Sequence, residues 1–137
     1  MKIRPYDEKD ESVVVALWNE VFPNAPWWND PLTNIRRKLT VQRELFLVAE
    51  EDGRVIGTAM GGFDGHRGWV YSVAVRPTER RRGVGRALME EVERRLKDIG
   101  CSKLNLQVRS SNMEVVEFYK SLGFAVEDRI SMGKRFE

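Results

Sequence analysis

Four arginines, Arg80, Arg81, Arg82 and Arg86, surround Gly83 and Gly85 at the front of a helical pattern. A helix N-terminus already carries about half a positive charge and leaves about four N–H groups without acceptors. Each cation added there costs about 0.3–1 kcal/mol when exposed, so acidic neighbours are the expectation. The reversed charge makes sense if an anion lies on the turn, with Gly83 and Gly85 letting the backbone close around phosphate oxygens. Two common phosphate loops do not fit. The Gly-x-x-x-x-Gly-Lys-Ser/Thr loop is absent, and the dinucleotide fingerprint needs Gly or Ala where Leu88 stands. The plain alternative is a solvated basic turn balanced in part by Glu79.

Other side chains with usable chemistry are scattered. Tyr119 offers a phenol proton. Asp64 and His66 share one turn, and Glu79 lies beside the arginines; each is a candidate base and each has an ordinary role as turn residue, exposed imidazole or helix-front carboxylate. Trp27 and Trp28 among prolines, with Asp30, suit an aromatic wall for a cationic amine, or a hydrophobic plug with a helix cap. His66 has no partners at metal-ligand spacing, so no metal is expected. Cys101 has no His-Asp arrangement to make it a nucleophile and reads as a small buried residue.

These groups need a frame. Trp69 to Val75 is an apolar strand running into the arginine turn. After the turn, Val84, Leu88, Val92 and Leu96 recur every four residues in a helix reaching Ile99, with Gly100 as its cap. Ahead of this, Ile3–Tyr6 reads as an edge strand because of Pro5. Asp10 is positioned to cap a helix through Phe22, and Asn29 or Asp30 to cap a second from Leu32 to Gln42. Strands follow at Leu45–Glu50 and Arg54–Phe63, joined by a turn in which Gly53 supplies positive φ. Lys103–Val108 alternates as a strand, Ser110, Ser111 or Asn112 caps a helix through Leu122, and Phe124–Glu127 with Ile130–Phe136 reads as a closing hairpin. The expectation is an α/β fold: a mixed, mostly antiparallel sheet of six to seven strands with helices on both faces, and the arginine turn beyond the carboxyl end of a parallel strand.

At 137 residues the chain is expected to be a single domain, 1–137, with an ordinary core. The net charge of +2 is small and the basic residues are clustered, which suits a discrete anion site rather than a nucleic-acid track. No apolar run spans a membrane and the first residues lack a signal-peptide pattern. One cysteine excludes an internal disulfide and fits the cytoplasm.

Two motifs now carry a resemblance. Arg80-x-x-Gly83-x-Gly85 resembles the pyrophosphate loop, Gln/Arg-x-x-Gly-x-Gly/Ala, of the GNAT superfamily of acetyl-coenzyme A-dependent N-acetyltransferases. Asn112-x-x-Val115-x-x-Phe118-Tyr119, ending at Gly123 and Phe124, resembles the same family's second motif, with Val115 where a small residue is usual. The stretch from Trp28 to Pro31, Leu45–Glu50 and Gly62–Gly68 is similar to the bacterial YpeA-type subgroup, so the resemblance covers nearly the whole chain.

The resemblance implies acetyl-CoA as co-substrate and direct transfer of its acetyl group to a primary amine in a ternary complex. It places pantetheine along the backbone of Val73, Ala74 and Val75, and pyrophosphate on the N–H groups from Arg81 through Arg82, Gly83, Val84, Gly85 and Arg86 to Ala87. Arg80 and its neighbours share the charge; Asn112 holds the cofactor's arm and Tyr119 lies near its sulfur. Trp27, Trp28, Asp30, Asp64 and His66 are the candidate acceptor residues. In this chemistry the amine must lose its proton, the oxyanion needs an N–H such as that of Val73, and the thiolate needs an acid. A phenol of pKa about 10 protonating a thiolate of about 8.5 runs uphill by only roughly 2 kcal/mol, so Tyr119 qualifies. The same fold serving as an acyl-CoA sensor without turnover is the alternative. A homodimer through exposed tryptophans or the last strand is compatible with the sequence.

Overall fold

A computed structural model describes residues 1–136. Its contacts fall into a first unit, Met1–Leu106, and a second beginning at Gln107.

In the first unit, β1 (Lys2–Pro5), β2 (Phe46–Glu51), β3 (Arg54–Phe63), β4 (Gly68–Val75) and β5 (Leu104–Asn105) form one sheet in that order. The first three pairings are antiparallel and β4–β5 is parallel. Asp52 (φ 52°) and Gly53 (φ 77°) make the β2–β3 turn, where two left-handed residues match the twist of a hairpin. Pro5 ends β1, the outermost strand, where no ladder donor is missed.

The sheet's two faces are built differently. One packs Phe46, Val48, Met60 and Ala74 against α1 (Glu11–Val21) and α2 (Pro31–Lys38) through Val14, Leu17, Trp18 and Ile35, with Tyr6 stacked on Phe46 at 4.5 Å. The other receives α3 (Val84–Asp98), the crossover between β4 and β5. Its four-residue stripe lies over a row of glycines. A Cβ at Gly57 would sit 3.0 Å from Val84 Cγ1 and Leu88 Cδ1, one at Gly61 3.2 Å from Val92 Cγ1, and one at Gly68 3.0 Å from Leu96 Cδ1. Those glycines let the helix approach closely and carry the arginine turn with it.

Four expectations change. Asp10 does not cap α1. Its carboxylate is spent on Arg4 (Nη1 to Oδ2, 2.8 Å; Nη2 to Oδ1, 3.0 Å) and on the Asp7 N–H, while Asp7 caps the preceding turn by accepting from Lys9 N–H. The second helix stops at Lys38 rather than Gln42, because Gln42 turns left-handed (φ 48°) and clamps Phe63, accepting from its N–H (2.8 Å) and donating to its carbonyl (3.0 Å). The strand expected over 103–108 pairs only at Leu104–Asn105. Finally, the sheet has five strands among the described residues, not six or seven. No strand forms from Phe124 to Phe136, where Val126, Ile130, Met132 and Phe136 are at least 77% exposed. Alternation alone does not hold a hairpin: without a buried face a two-stranded ribbon is marginal, and the Glu127-Asp128-Arg129 turn lacks Gly or Asn.

The second unit contains α4 (Met113–Ser121), entered through a turn closed by Asn112 N–H on the Arg109 carbonyl and ended by Gly123 (φ 97°). Tyr119 packs edge-on to Phe118 and Phe124, with ring centroids 5.0 and 5.7 Å away. Among the described residues no helix is long and apolar enough to cross a membrane.

Candidate active site

The turn after β4 is shaped as an anion cradle. Pro77–Glu79 makes one helical turn, Arg80 is extended, and Arg81 (φ 65°) and Gly83 (φ 80°) are left-handed. Alternating handedness of this kind points successive N–H groups into one concavity. The first α3 backbone bond runs from Ala87 N–H to the Gly83 carbonyl, which leaves Val84, Gly85 and Arg86 with the orphan N–H groups of a helix start. Space beside Gly83 is open: a Cβ there would meet nothing within 4 Å.

The four arginines are not equivalent. Arg82 is committed to carboxylates, forming a fork with Glu51 (2.8 and 3.1 Å) and a further bond to Glu79. Both partners raise its pKa, and Arg82 in turn lowers that of Glu51. Arg82 therefore ties the cradle to the β2–β3 hairpin and occupies Glu79. Arg80, Arg81 and Arg86 are exposed and form no ion pair among the described residues. Those three guanidinium groups are available to an anion.

β4 is irregular where it approaches the cradle. Thr58 pairs with Ala74 but Met60 pairs with Tyr71, so Ala59 faces two residues, Ser72 and Val73. Ser72 is left-handed (φ 51°), a conformation that costs a non-glycine residue about 1–3 kcal/mol. A bulge leaves its extra residue outside the ladder. This one is pinned from behind: Trp18 Nε1–H donates to Thr58 Oγ1 (2.8 Å), whose hydroxyl donates to the Ser72 carbonyl (2.9 Å). Thr58 is fully buried and Trp18 nearly so. On its other edge β4 pairs with β5 only at Gly68 and Trp69, so from Val70 onward that edge has no strand partner among the described residues.

Beside the bulge, on the α1–α2 face, lies a cavity of about 440 Å³ lined by Lys38, Gln42, Met60, Asp64, Trp69 and Tyr71. Lys38 Nζ donates to the Gly61 carbonyl at 2.5 Å, and burial lowers its pKa. Asp64 accepts from Arg67 N–H and His66 N–H, each at 2.7 Å, and those bonds hold its carboxyl below the ordinary range. A carboxylate so stabilised is a poor base but a lasting negative charge. Tyr71 is half-exposed, and burial of its hydroxyl followed by the Asp64 charge raises its pKa.

The remaining expected residues are placed as follows. Tyr119 is 8% exposed, and burial pushes its phenol up to about 12; its hydroxyl makes no hydrogen bond among the described residues. Asn112 stands at the start of α4 without a side-chain cap bond. Asp30 caps α2, accepting from Thr33 N–H (3.0 Å) and Thr33 Oγ1–H (2.9 Å). Trp27 and Trp28 form an exposed edge-on pair and do not line the cavity; His66 does not line it either. Cys101 is buried, its thiol donating to the Lys103 carbonyl at 3.3 Å.

Sequence reasoning missed Lys38, Tyr71 and the Trp18–Thr58–Ser72 chain. Two of these had a signal. Tyr71 shares the parity of Trp69 on β4, and Lys38 sits three residues after Ile35, on the apolar side of α2. The bulge had none, because a left-handed serine inside an apolar strand leaves no mark in residue type.

Comparison with known proteins agrees with this architecture. The profile of the acetyltransferase (GNAT) family matches residues 12–124. The acetyltransferase YE1169 of Yersinia enterocolitica is 44% identical over 135 residues, covering 98% of this chain and 95% of its own. Ard1 from Thermoplasma volcanium has a TM-score of 0.78 at 26% identity, over 92% of this chain and 83% of its own. AAC(6')-Iy, solved with the bisubstrate analogue CoA-S-monomethyl-acetylneamine, has a TM-score of 0.82 at 20% identity, over 98% and 97%. This last likeness concerns the fold alone.

Proposed function

Because the chain belongs to the acetyltransferase (GNAT) family, we propose that it carries the acetyl group of acetyl-CoA directly to a primary amine in a ternary complex. The observation that carries this reading is the cradle at the end of β4: a left-handed turn, three orphan N–H groups at Val84, Gly85 and Arg86, and three unpaired arginines. A pyrophosphate supplies the matching acceptors and charge. The reading takes residues 1–137 as one catalytic domain, since the matched stretch runs past Leu106 into the second unit.

Each step falls to particular groups. The open edge of β4 at Val73, Ala74 and Val75 suits hydrogen bonds to the pantetheine amides, as an added strand would make them. Acetyl-CoA supplies an activated acyl carbon. The Val73 N–H, in the bulge opposite Ala59, is assigned to the negative charge that grows on the acetyl oxygen. Asn112 is assigned to the cofactor's arm and Tyr119 to the leaving thiolate. Its raised pKa keeps Tyr119 protonated through the neutral range, so it enters the reaction as a donor only. The same shift widens the gap to a thiol of about 8.5, making the transfer uphill by about 5 kcal/mol rather than 2. Proton transfer must therefore follow carbon–sulfur cleavage closely, when the thiolate is itself out of water.

The amine must also be neutral, and at pH 7 only about one lysine-like amine in a thousand is. Asp64 attracts the ammonium form to the cavity mouth, and loss of the proton to water there leaves the free amine facing the bulge. Calorimetry with coenzyme A and a thiol-release assay with acetyl-CoA and a panel of primary amines test the reading together. Binding plus amine-dependent thiol release is expected. Binding without release from any amine would leave the sensor alternative, and no binding would refute both.

A further inference from the structure

The cavity beside the bulge is lined by a cation, Lys38, that forms no ion pair among the described residues. Lys38 Nζ has three donors and spends one on the Gly61 carbonyl. Among the described residues no carboxylate lies within the 4 Å of an ion pair, and Glu44 acts on it only from further away. Gln42, its neighbour on the cavity wall, is held by the Phe63 backbone, its amide oxygen accepting from Phe63 N–H and its amide nitrogen donating to the Phe63 carbonyl. The wall thus presents one half-buried ammonium with two idle N–H groups. Exposed Asp64 lines the same cavity, and Trp69 and Tyr71 add aromatic area to it. Burial lowers the Lys38 pKa, which is the signature of a cation short of compensation.

We infer that Lys38 is a specificity-determining residue that binds a carboxylate on the acceptor, so the amine acetylated here belongs to a molecule that is also an acid. The inference rests on the acetyl-transfer reading, with the acceptor lying in this cavity. A carboxylate fits better than a phosphate: the wall offers one positive charge, and no guanidinium lines it. The class is amines that also carry a carboxylate, from amino acids to short peptides.

The test compares matched pairs: glycine, γ-aminobutyrate and ε-aminocaproate against their carboxamides. Binding is read by saturation-transfer NMR on the coenzyme A complex, and turnover by thiol release from acetyl-CoA. The natural protein is compared with Lys38→Met, which keeps the apolar stem, and Lys38→Arg, which keeps the charge. Circular dichroism confirms that each variant folds. The expected result is that at least one of the three acids is favoured over its carboxamide by about ten- to hundred-fold, the weight of a charged hydrogen bond. The preference should collapse towards one in Lys38→Met and return in part in Lys38→Arg. Equal binding of acids and amides by the natural protein, or a preference that survives Lys38→Met, would overturn the inference. Transfer to neutral amines without acid preference sinks Lys38 and leaves acetyl transfer standing. Acid-selective binding with no thiol release does the reverse.

Discussion

Thr58→Val tests the idea that the β4 bulge is held in place by a buried polar chain. Valine nearly matches threonine in shape but removes the hydroxyl that accepts from Trp18 Nε1–H and donates to the Ser72 carbonyl. Both Thr58 and Trp18 are out of water, so the indole N–H is stranded, at about 1–3 kcal/mol. The Ser72 carbonyl is half-buried and loses about 1 kcal/mol more, while the added methyl returns about 0.8 kcal/mol. The net loss is about 1–3 kcal/mol, a large part of the 5–15 kcal/mol that keeps a domain folded. Unpinned, the left-handed Ser72 has reason to relax and carry the Val73 N–H with it. Loss of a complete oxyanion donor costs about 100- to 1,000-fold, so a misdirected one should lower kcat by about tenfold or more. Urea unfolding measures the first effect and thiol release the second. Thr58→Ser, which keeps the hydroxyl, should recover most of both. A Thr58→Val protein with native stability and native kcat would refute the reasoning. Loss in stability with unchanged kcat would separate the pin from the chemistry.

Three further outcomes are expected. Gly83→Val should abolish coenzyme A binding in calorimetry, because a β-branched residue resists φ 80° and its side chain enters the open space of the cradle; unaltered affinity would place the phosphates elsewhere. Tyr119→Phe should reduce kcat by about a hundredfold with little change in coenzyme A affinity, since only a proton donor is lost; native turnover would remove the acid role. Glu91, bonded to Arg94 and Arg95, has its carboxyl pulled to about 2 from an ordinary 4.5, chiefly by the Arg94 bond. A folded pKa below the unfolded one stabilises above pH 4.5, and that contribution fades as pH falls towards 2. Glu91→Gln should flatten that part of the stability curve in urea titrations, and superimposable curves would show that the pairing is energetically silent.

The elements legible in the sequence were those whose signal is local. The four-residue stripe of α3, the arginines around Gly83, the Asp52-Gly53 turn and a cap at Asn29 or Asp30, which the structure resolves to Asp30, all follow from nearest-neighbour chemistry. Legibility failed where a distant partner decides. Asp10 reads as a cap until Arg4 competes for its carboxylate, and α2 reads as longer until Phe63 claims Gln42. Phe124–Glu127 and Ile130–Phe136 alternate like strands, yet Ile130 and Met132 are 91% exposed. At the site, the cradle was visible because it departs from the usual charge pattern. The cavity was not, because Lys38 looks like any surface lysine until Gly61 and the burial around it are known. Arg82 was the opposite case, since its type suggested a phosphate ligand and its neighbours Glu51 and Glu79 make it a brace.

The glycine row beneath α3 has a consequence for how the protein tolerates change. Gly57 lies on β3, remote from the arginines in sequence, yet it is the floor on which Val84, the first residue of α3, rests. A single methyl group there would have to lift the helix start, since the Ala74 carbonyl, also 3.0 Å away, is backbone and yields little. Thickening the sheet by one carbon at this point would tilt the cradle without touching any group proposed to meet the phosphates. At Gly62, whose nearest neighbours are the ends of Gln42 and Lys38 side chains at 3.7 and 3.8 Å, the same methyl would be absorbed. The grip proposed for the acyl carrier would therefore be set partly by an absence of atoms on the far side of a helix.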